Sequence, residues 1–111
     1  DAELNWLYQD TYKRLQEMKE LNSLNPWNEM KFDTPFFAVK NSTFNYKGQE
    51  YTGGEINYIG IGMYEAAKGD TLQNAQFDAF WWKYLTKGGE TPSSGTYFWL
   101  EKGYYKYKEL D

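Results

Sequence analysis

Four carboxylates, Glu50, Glu55, Glu65 and Asp78, are the side chains best suited to chemistry in this sequence. A protonated acid facing an ionised one is sufficient for glycoside hydrolysis, a reaction that needs no imidazole. Most other catalytic equipment is missing. The 111 residues include no His and no Cys, which removes Ser–His and Cys nucleophiles, zinc sites built on nitrogen or sulfur, and any group with an unperturbed pKa near neutrality. Glu55 stands three residues after Thr52, the spacing of a capping box, in which the acid is tied to a backbone N–H rather than to a substrate. The other three acids read as solvated. No carboxylate spacing matches a calcium loop, and neither a metal ligand set nor a cofactor is expected. Gly60-x-Gly62 falls short of a dinucleotide fingerprint because Glu65 stands where the third glycine belongs. No catalytic residue is assigned.

What the chain has in excess is ring surface, with five Trp, eleven Tyr and seven Phe. Trp81, Trp82, Tyr84, Trp99 and Tyr104 are the ligand-binding candidates among them. Adjacent Trp81 and Trp82 on a helix lie about 100° apart, so at most one points straight into a core. A partly exposed Trp or Tyr offers a flat apolar face with a polar edge, suited to sugar rings or to a partner's side chains. The plainer account is that a small helical domain fills its core with rings. Between residues 101 and 108, Lys102, Lys106 and Lys108 alternate with Tyr104, Tyr105 and Tyr107, a pattern that can stack on and neutralise a single nucleic-acid strand.

These side chains need a frame, and periodicity supplies it. Leu4, Leu7, Tyr8, Thr11, Leu15, Met18 and Leu21 recur at three- and four-residue intervals, predicting a helix over about 3–22. Asp10 precedes Arg14, and Lys13 precedes Glu17, by four residues, so its outer face has the spacing for ion pairs. Residues 27–41 read as irregular or extended, anchored in the core by Trp27, Met30, Phe32, Phe36 and Phe37. Two short runs around Lys47-Gly48 predict a β-hairpin over about 42–52. The Thr52/Glu55 capping box then opens a helix over about 54–68 that Gly69 ends, although a strand is an alternative for 56–61. Gly60 and Gly62 each cost that helix about 1 kcal/mol relative to Ala, which predicts that another element approaches closely there. With Asp70 as its cap, a further helix spans about 71–87, its inner face formed by Leu72, Ala75, Ala79 and Trp82 with Phe80 and Leu85. The last segment, about 96–107, is taken as a helix, a strand pair broken at Gly103 being the alternative. The fold class is therefore α+β: one small, mostly helical domain with a short hairpin.

Length and charge narrow the partners. One domain fits in 111 residues and two do not. The net charge of −4 and the presence of one Arg among twelve basic residues argue against duplex nucleic acid, which demands a positive field and favours guanidinium forks. No apolar run has the length of a membrane span, so no membrane partner is expected. A protein or a carbohydrate is the expected partner. The chain begins at Asp1 without a Met, and we read it as excised from a longer protein, a processed product being the alternative.

The run Phe44-Asn45-Tyr46-Lys47-Gly48-Gln49-Glu50-Tyr51-Thr52-Gly53-Gly54-Glu55-Ile56-Asn57-Tyr58-Ile59-Gly60-Ile61-Gly62-Met63 resembles a segment near the C-terminal end of bacterial RHS-repeat proteins of the polymorphic-toxin type. In those proteins a cluster of small residues precedes an Asn-Tyr pair that opens a glycine-containing helix. Ala79-Phe80-Trp81-Trp82-Lys83, and Trp99 through Gly103-Tyr104, resemble later pieces of the same segment, and together the pieces cover about half of the chain. The resemblance adds Asn57 and Tyr58 to the ligand-binding candidates and carries no catalytic residue with it. It implies a domain from the variable end of a large shell-forming protein, exported or at the cell surface, working as a recognition or effector-associated module. Outside that resemblance the chain reads as cytoplasmic. Two alternatives stand beside it: a small acidic binding protein of the inhibitor or immunity type, steered by its charge onto a basic partner, and a carboxylate enzyme of glycosidase type.

Overall fold

The computed structural model describes residues 2–111. Helix α1 (Ala2–Glu20) is followed by one turn of helix, α2 (Pro26–Glu29), and a 3₁₀ turn (Pro35–Val39). The hairpin strands β1 (Thr43–Tyr46) and β2 (Gln49–Thr52) lead into α3 (Gly53–Ile56), α4 (Tyr58–Lys68), α5 (Leu72–Thr86) and α6 (Ser94–Leu110). The α+β reading holds: the domain is mostly helical, with one two-stranded antiparallel sheet among the described residues. The expected helix over 54–68 is divided at Asn57, which keeps helical angles but turns its side chain inward. The terminal aromatic segment is one helix, and its Gly103 is a point of packing rather than a break.

Local chemistry explains the boundaries. Lys47 and Gly48 both take positive φ, 51° and 84°, as a two-residue hairpin turn requires, and the strands pair Thr43 with Thr52 and Tyr46 with Gln49. At the start of α3 both halves of the capping box form: the Thr52 hydroxyl accepts from the Glu55 N–H at 3.1 Å, and the Glu55 carboxylate accepts from the Thr52 N–H at 2.8 Å. Gly69 closes α4 in the left-handed conformation, φ 88°. The cap of α5 is Thr71, whose hydroxyl accepts from the Asn74 N–H. Asp70, the residue expected there, lies one position too early and faces Lys68 instead.

Helix α4 lies at the centre of the fold. Ile59, Gly60 and the run from Gly62 to Ala67 are all buried, so this helix has no solvated face and needs neighbours on every side. Its tightest neighbour is α6. A Cβ placed on Gly62 would lie 2.0 Å from the Leu100 carbonyl oxygen, and one on Gly103 would lie 2.2 Å from the Ile59 carbonyl oxygen. The two backbones therefore touch at a reciprocal pair of glycines, which is the close approach predicted for Gly62. At Gly60 the neighbour is a side chain, a Cβ there lying 2.9 Å from the Thr34 methyl. Leu4, Leu7 and Leu15 of α1, with Phe32, Tyr51, Ile56, Trp99, Tyr104 and Tyr107, complete the main core, while Ala75, Ala79 and Leu100 form a smaller cluster under α5.

Three expectations about packing are corrected. Of the proposed anchors in 27–41 only Phe32 is buried; Phe36 is half-buried, and Trp27, Met30 and Phe37 are exposed. Short 3₁₀ and α turns bring consecutive side chains out in several directions, so one segment cannot bury all of them. On α5 burial stops at Ala79, leaving Trp82 44% and Leu85 74% exposed, because the last two turns run past the body they were expected to cover. On α1, Leu21 is exposed beyond the helix end, and Arg14 donates to the Asp33 carbonyl and stacks 4.4 Å from the Phe32 ring centroid.

Candidate functional site

Four of the exposed rings gather on α5 from Phe77 onward. Phe77, Phe80, Trp81 and Tyr84 follow one another at three- and four-residue steps along one stripe, while Trp82 and Leu85 lie on the adjacent one. Small Ala75 and Ala79 seat the first half of the helix on Leu100, and from there the helix carries its rings outward. Trp81 is the hub, with ring centroids 6.1 Å from Phe77, 5.4 Å from Phe80 and 5.7 Å from Tyr84, all near edge-to-face. Phe80 and Tyr84 stack at 13° and 6.0 Å. Such pairs hold one another in place, so the patch is presented in a defined shape rather than as loose side chains. Trp81, Trp82 and Tyr84 of the sequence candidates belong to this face.

The other candidates are placed inside. Trp99 is 1% exposed, edge-on to Tyr46, Tyr51 and Phe98, and its indole N–H has no acceptor among the described residues. Tyr104 is buried and donates its hydroxyl to the Asp70 carbonyl at 2.6 Å. Asn57 is buried as well: its Oδ1 accepts from the Thr34 N–H at 2.7 Å and the Thr34 hydroxyl at 2.6 Å, and its Nδ2 donates to Asp33 at 3.0 Å. Asn57 thereby ties the segment before the hairpin to the start of α4. Tyr58 is half-buried between the two cores, and burial raises its pKa. In the lysine-rich tail Tyr104 and Tyr107 are buried and Lys108 lies over the Tyr104 ring, which leaves Tyr105 as the displayed ring.

A second constellation was not legible as a group. Glu65, expected in solvent, is 0% exposed on α4. Glu29 from α2, Asp70 from the α4–α5 turn and Asp78 from α5 surround it, and one ammonium, that of Lys68, lies 2.9 Å from Glu29 and 3.6 Å from both Glu65 and Asp70. Burial, reinforced by the Glu29 and Asp70 carboxyls, pushes Glu65 up to about 10. Asp70 is lowered, first by a hydrogen bond from Glu65, so the proton of the pair resides on Glu65. Asp78 is raised by burial and by the charges of Glu29 and Asp70. Lys68 is raised: burial works against its charge, and the carboxylates around it outweigh that. The sequence signal was available, since Glu65 is the one charged residue between Tyr58 and Ala67 in an otherwise apolar helix.

The enzyme reading meets an obstacle in this arrangement. Glu65 has the raised pKa of a general acid, yet a sugar cannot reach a fully sealed carboxyl. Glu55 is engaged by the Thr52 N–H and by the Ser93 hydroxyl at 2.5 Å. Two shallow grooves lie elsewhere. One, of about 390 Å³, is lined by Trp6, Leu7, Pro35 and Phe36, and the other, of about 460 Å³, lies between Tyr8, Phe98 and Tyr105. No described helix is long and apolar enough to cross a membrane. Neither protein-family models, nor curated proteins, nor solved structures contain a match to this chain.

Proposed function

We propose that this chain is a recognition module, the C-terminal domain of an RHS-type exported protein, and that it seats the aromatic face of α5 against an apolar surface of a protein partner. The observation that carries the reading is the bare face of α5 from Phe77 onward, where Phe77, Trp81, Trp82, Tyr84 and Leu85 are exposed together. Contiguous ring surface of this kind is costly to leave in water, and Trp and Tyr are the residues that dominate binding energy at protein interfaces. The shape favours protein over carbohydrate. A sugar platform needs flat faces free for stacking beside converging polar groups, whereas Phe77, Phe80 and Tyr84 surround Trp81. Lys83 and Lys87 supply a polar rim.

The test has two arms. The full-length gene should carry a long Tyr-Asp repeat region upstream; an isolated short gene removes the RHS assignment. The upstream protein, produced separately, should bind this domain in calorimetry, and Trp81→Ala/Trp82→Ala should weaken binding at least about tenfold while shifting folding stability by no more than about 1 kcal/mol. Equal binding by the double variant removes the α5 face from the interface.

A further inference from the structure

The geometry points to a calcium site formed by Glu65, Asp70 and Asp78, with Lys68 holding the ion's place in its absence. One carboxylate oxygen from each of the three residues lies within 4.8 Å of the others. A point no more than about 2.8 Å from all three oxygens therefore exists, within reach of the 2.3–2.6 Å of Ca–O bonds. Small side-chain rotations close the difference for calcium. Magnesium demands near-octahedral geometry and gives up its waters reluctantly, so an adaptable set of carboxylates from two helices and a turn favours calcium.

The independent observation is Glu65 itself. Its side chain is 1% exposed, neither oxygen accepts a hydrogen bond among the described residues, and without an ion the carboxyl is kept neutral by the proton it directs at Asp70. A buried carboxyl without donors can ionise only where a cation takes the place of its proton. Lys68 does so only in part: at 3.6 Å its ammonium is beyond hydrogen-bond range of Glu65 and closest to Glu29. Four acids, Glu29, Glu65, Asp70 and Asp78, thus share one ammonium and one proton, and calcium would displace that proton on binding. A divalent ion supplies the charge a single lysine lacks, and the hard oxygen donors suit calcium rather than a soft metal. Asp78 is exposed and Asp70 half-exposed, which gives the ion an entrance that a larger ligand does not have. The flexible Lys68 side chain can swing outward as the ion enters. This site is independent of the α5 ring face.

The experiment is calorimetric titration of chelator-treated protein with CaCl2, and separately with MgCl2, alongside thermal melts. Calcium is expected to bind with a dissociation constant below about 1 mM and to raise the melting midpoint, with magnesium at least about tenfold weaker. Asp78→Asn, a change at an exposed position that spares the fold, should weaken calcium at least about tenfold. Lys68→Ala, verified as folded by circular dichroism, should bind calcium as tightly as the parent or more tightly. The site is overturned if the parent shows neither heat nor a shifted midpoint at about 5 mM calcium, or if Asp78→Asn binds like the parent. Equal affinity for magnesium overturns the assignment to calcium. Weaker binding by Lys68→Ala overturns the role given to that lysine.

Discussion

Replacing Gly62 with Ala adds one methyl group where the structure leaves no room for it. The new Cβ would meet the Leu100 carbonyl oxygen at 2.0 Å and its carbon at 2.9 Å. Ordinary contacts at such a position begin near 3.4 Å, so α4 and α6 must separate by about 1.4 Å along that line, and backbone atoms cannot rotate aside as a side chain would. Overpacking of this kind costs about 3 kcal/mol or somewhat more. Alanine returns about 1 kcal/mol in helix propensity, leaving a net loss of about 2–3 kcal/mol. With a urea slope of about 1.5 kcal/mol/M the midpoint should fall by about 1.5–2 M. Gly103→Ala should behave alike. Because Gly62 against Leu100 and Gly103 against Ile59 belong to one antiparallel contact, a single helix displacement relieves both, and the double variant should lose clearly less than the sum. Gly69→Ala serves as the control. Nothing lies within 4 Å of its Cβ, so it pays only for the left-handed conformation, about 1 kcal/mol. A Gly62→Ala protein as stable as the parent would refute the backbone contact on which the fold is built.

Asn57→Ala should destabilise the domain by about 2–4 kcal/mol in urea, because it leaves the Thr34 N–H and hydroxyl buried without their acceptor; a loss below about 0.5 kcal/mol would show that water replaces the amide. Burial first, and then the Asp111 charge, raises the Tyr107 pKa to about 12. The unfolded chain loses that proton near pH 10, so the contribution of Tyr107 is intact below pH 10 and lost as pH rises toward 12, at about 1.4 kcal/mol per pH unit. Tyr107→Phe should lessen the alkaline decline in denaturant midpoint between pH 10 and 12, and an unchanged slope would count against the shift.

The punctuation of the fold was legible because local chemistry enforces it. Thr52 with Glu55, Lys47 with Gly48, and Gly69 act within four residues of themselves, and each does what its type and spacing imply. Gly62 was legible one level higher: a glycine that weakens a helix implies a neighbour, though only the fold could name Leu100. Long-range burial was not legible. Trp27, Met30, Phe37 and Leu85 are as apolar as residues of the core and stand in solvent, since hydrophobicity states a preference for burial and not whether another element arrives to provide it. The periodicity of α5 placed Trp82 beside Ala75 and Ala79 on an inner face, but the helix outlasts its support. Glu65 inverts that failure. An acid among solvated acids by type, it is sealed because α4 is enclosed on all sides, and its companions come from α2, the α4–α5 turn and α5.

The distribution of the five indoles has a practical corollary. Trp99 alone is sealed in the interior, whereas Trp6, Trp27, Trp81 and Trp82 all touch water. Native emission should therefore be dominated by hydrated fluorophores and lie toward long wavelength, with one blue-shifted component from Trp99. Denaturation should move that component furthest, because the other four indoles are already partly hydrated, making Trp99 the main reporter of global melting. Occupation of α5 by another molecule should instead dehydrate Trp81 and Trp82 and shift the spectrum the opposite way. One cuvette measurement thus separates loss of structure from complex formation without any added label.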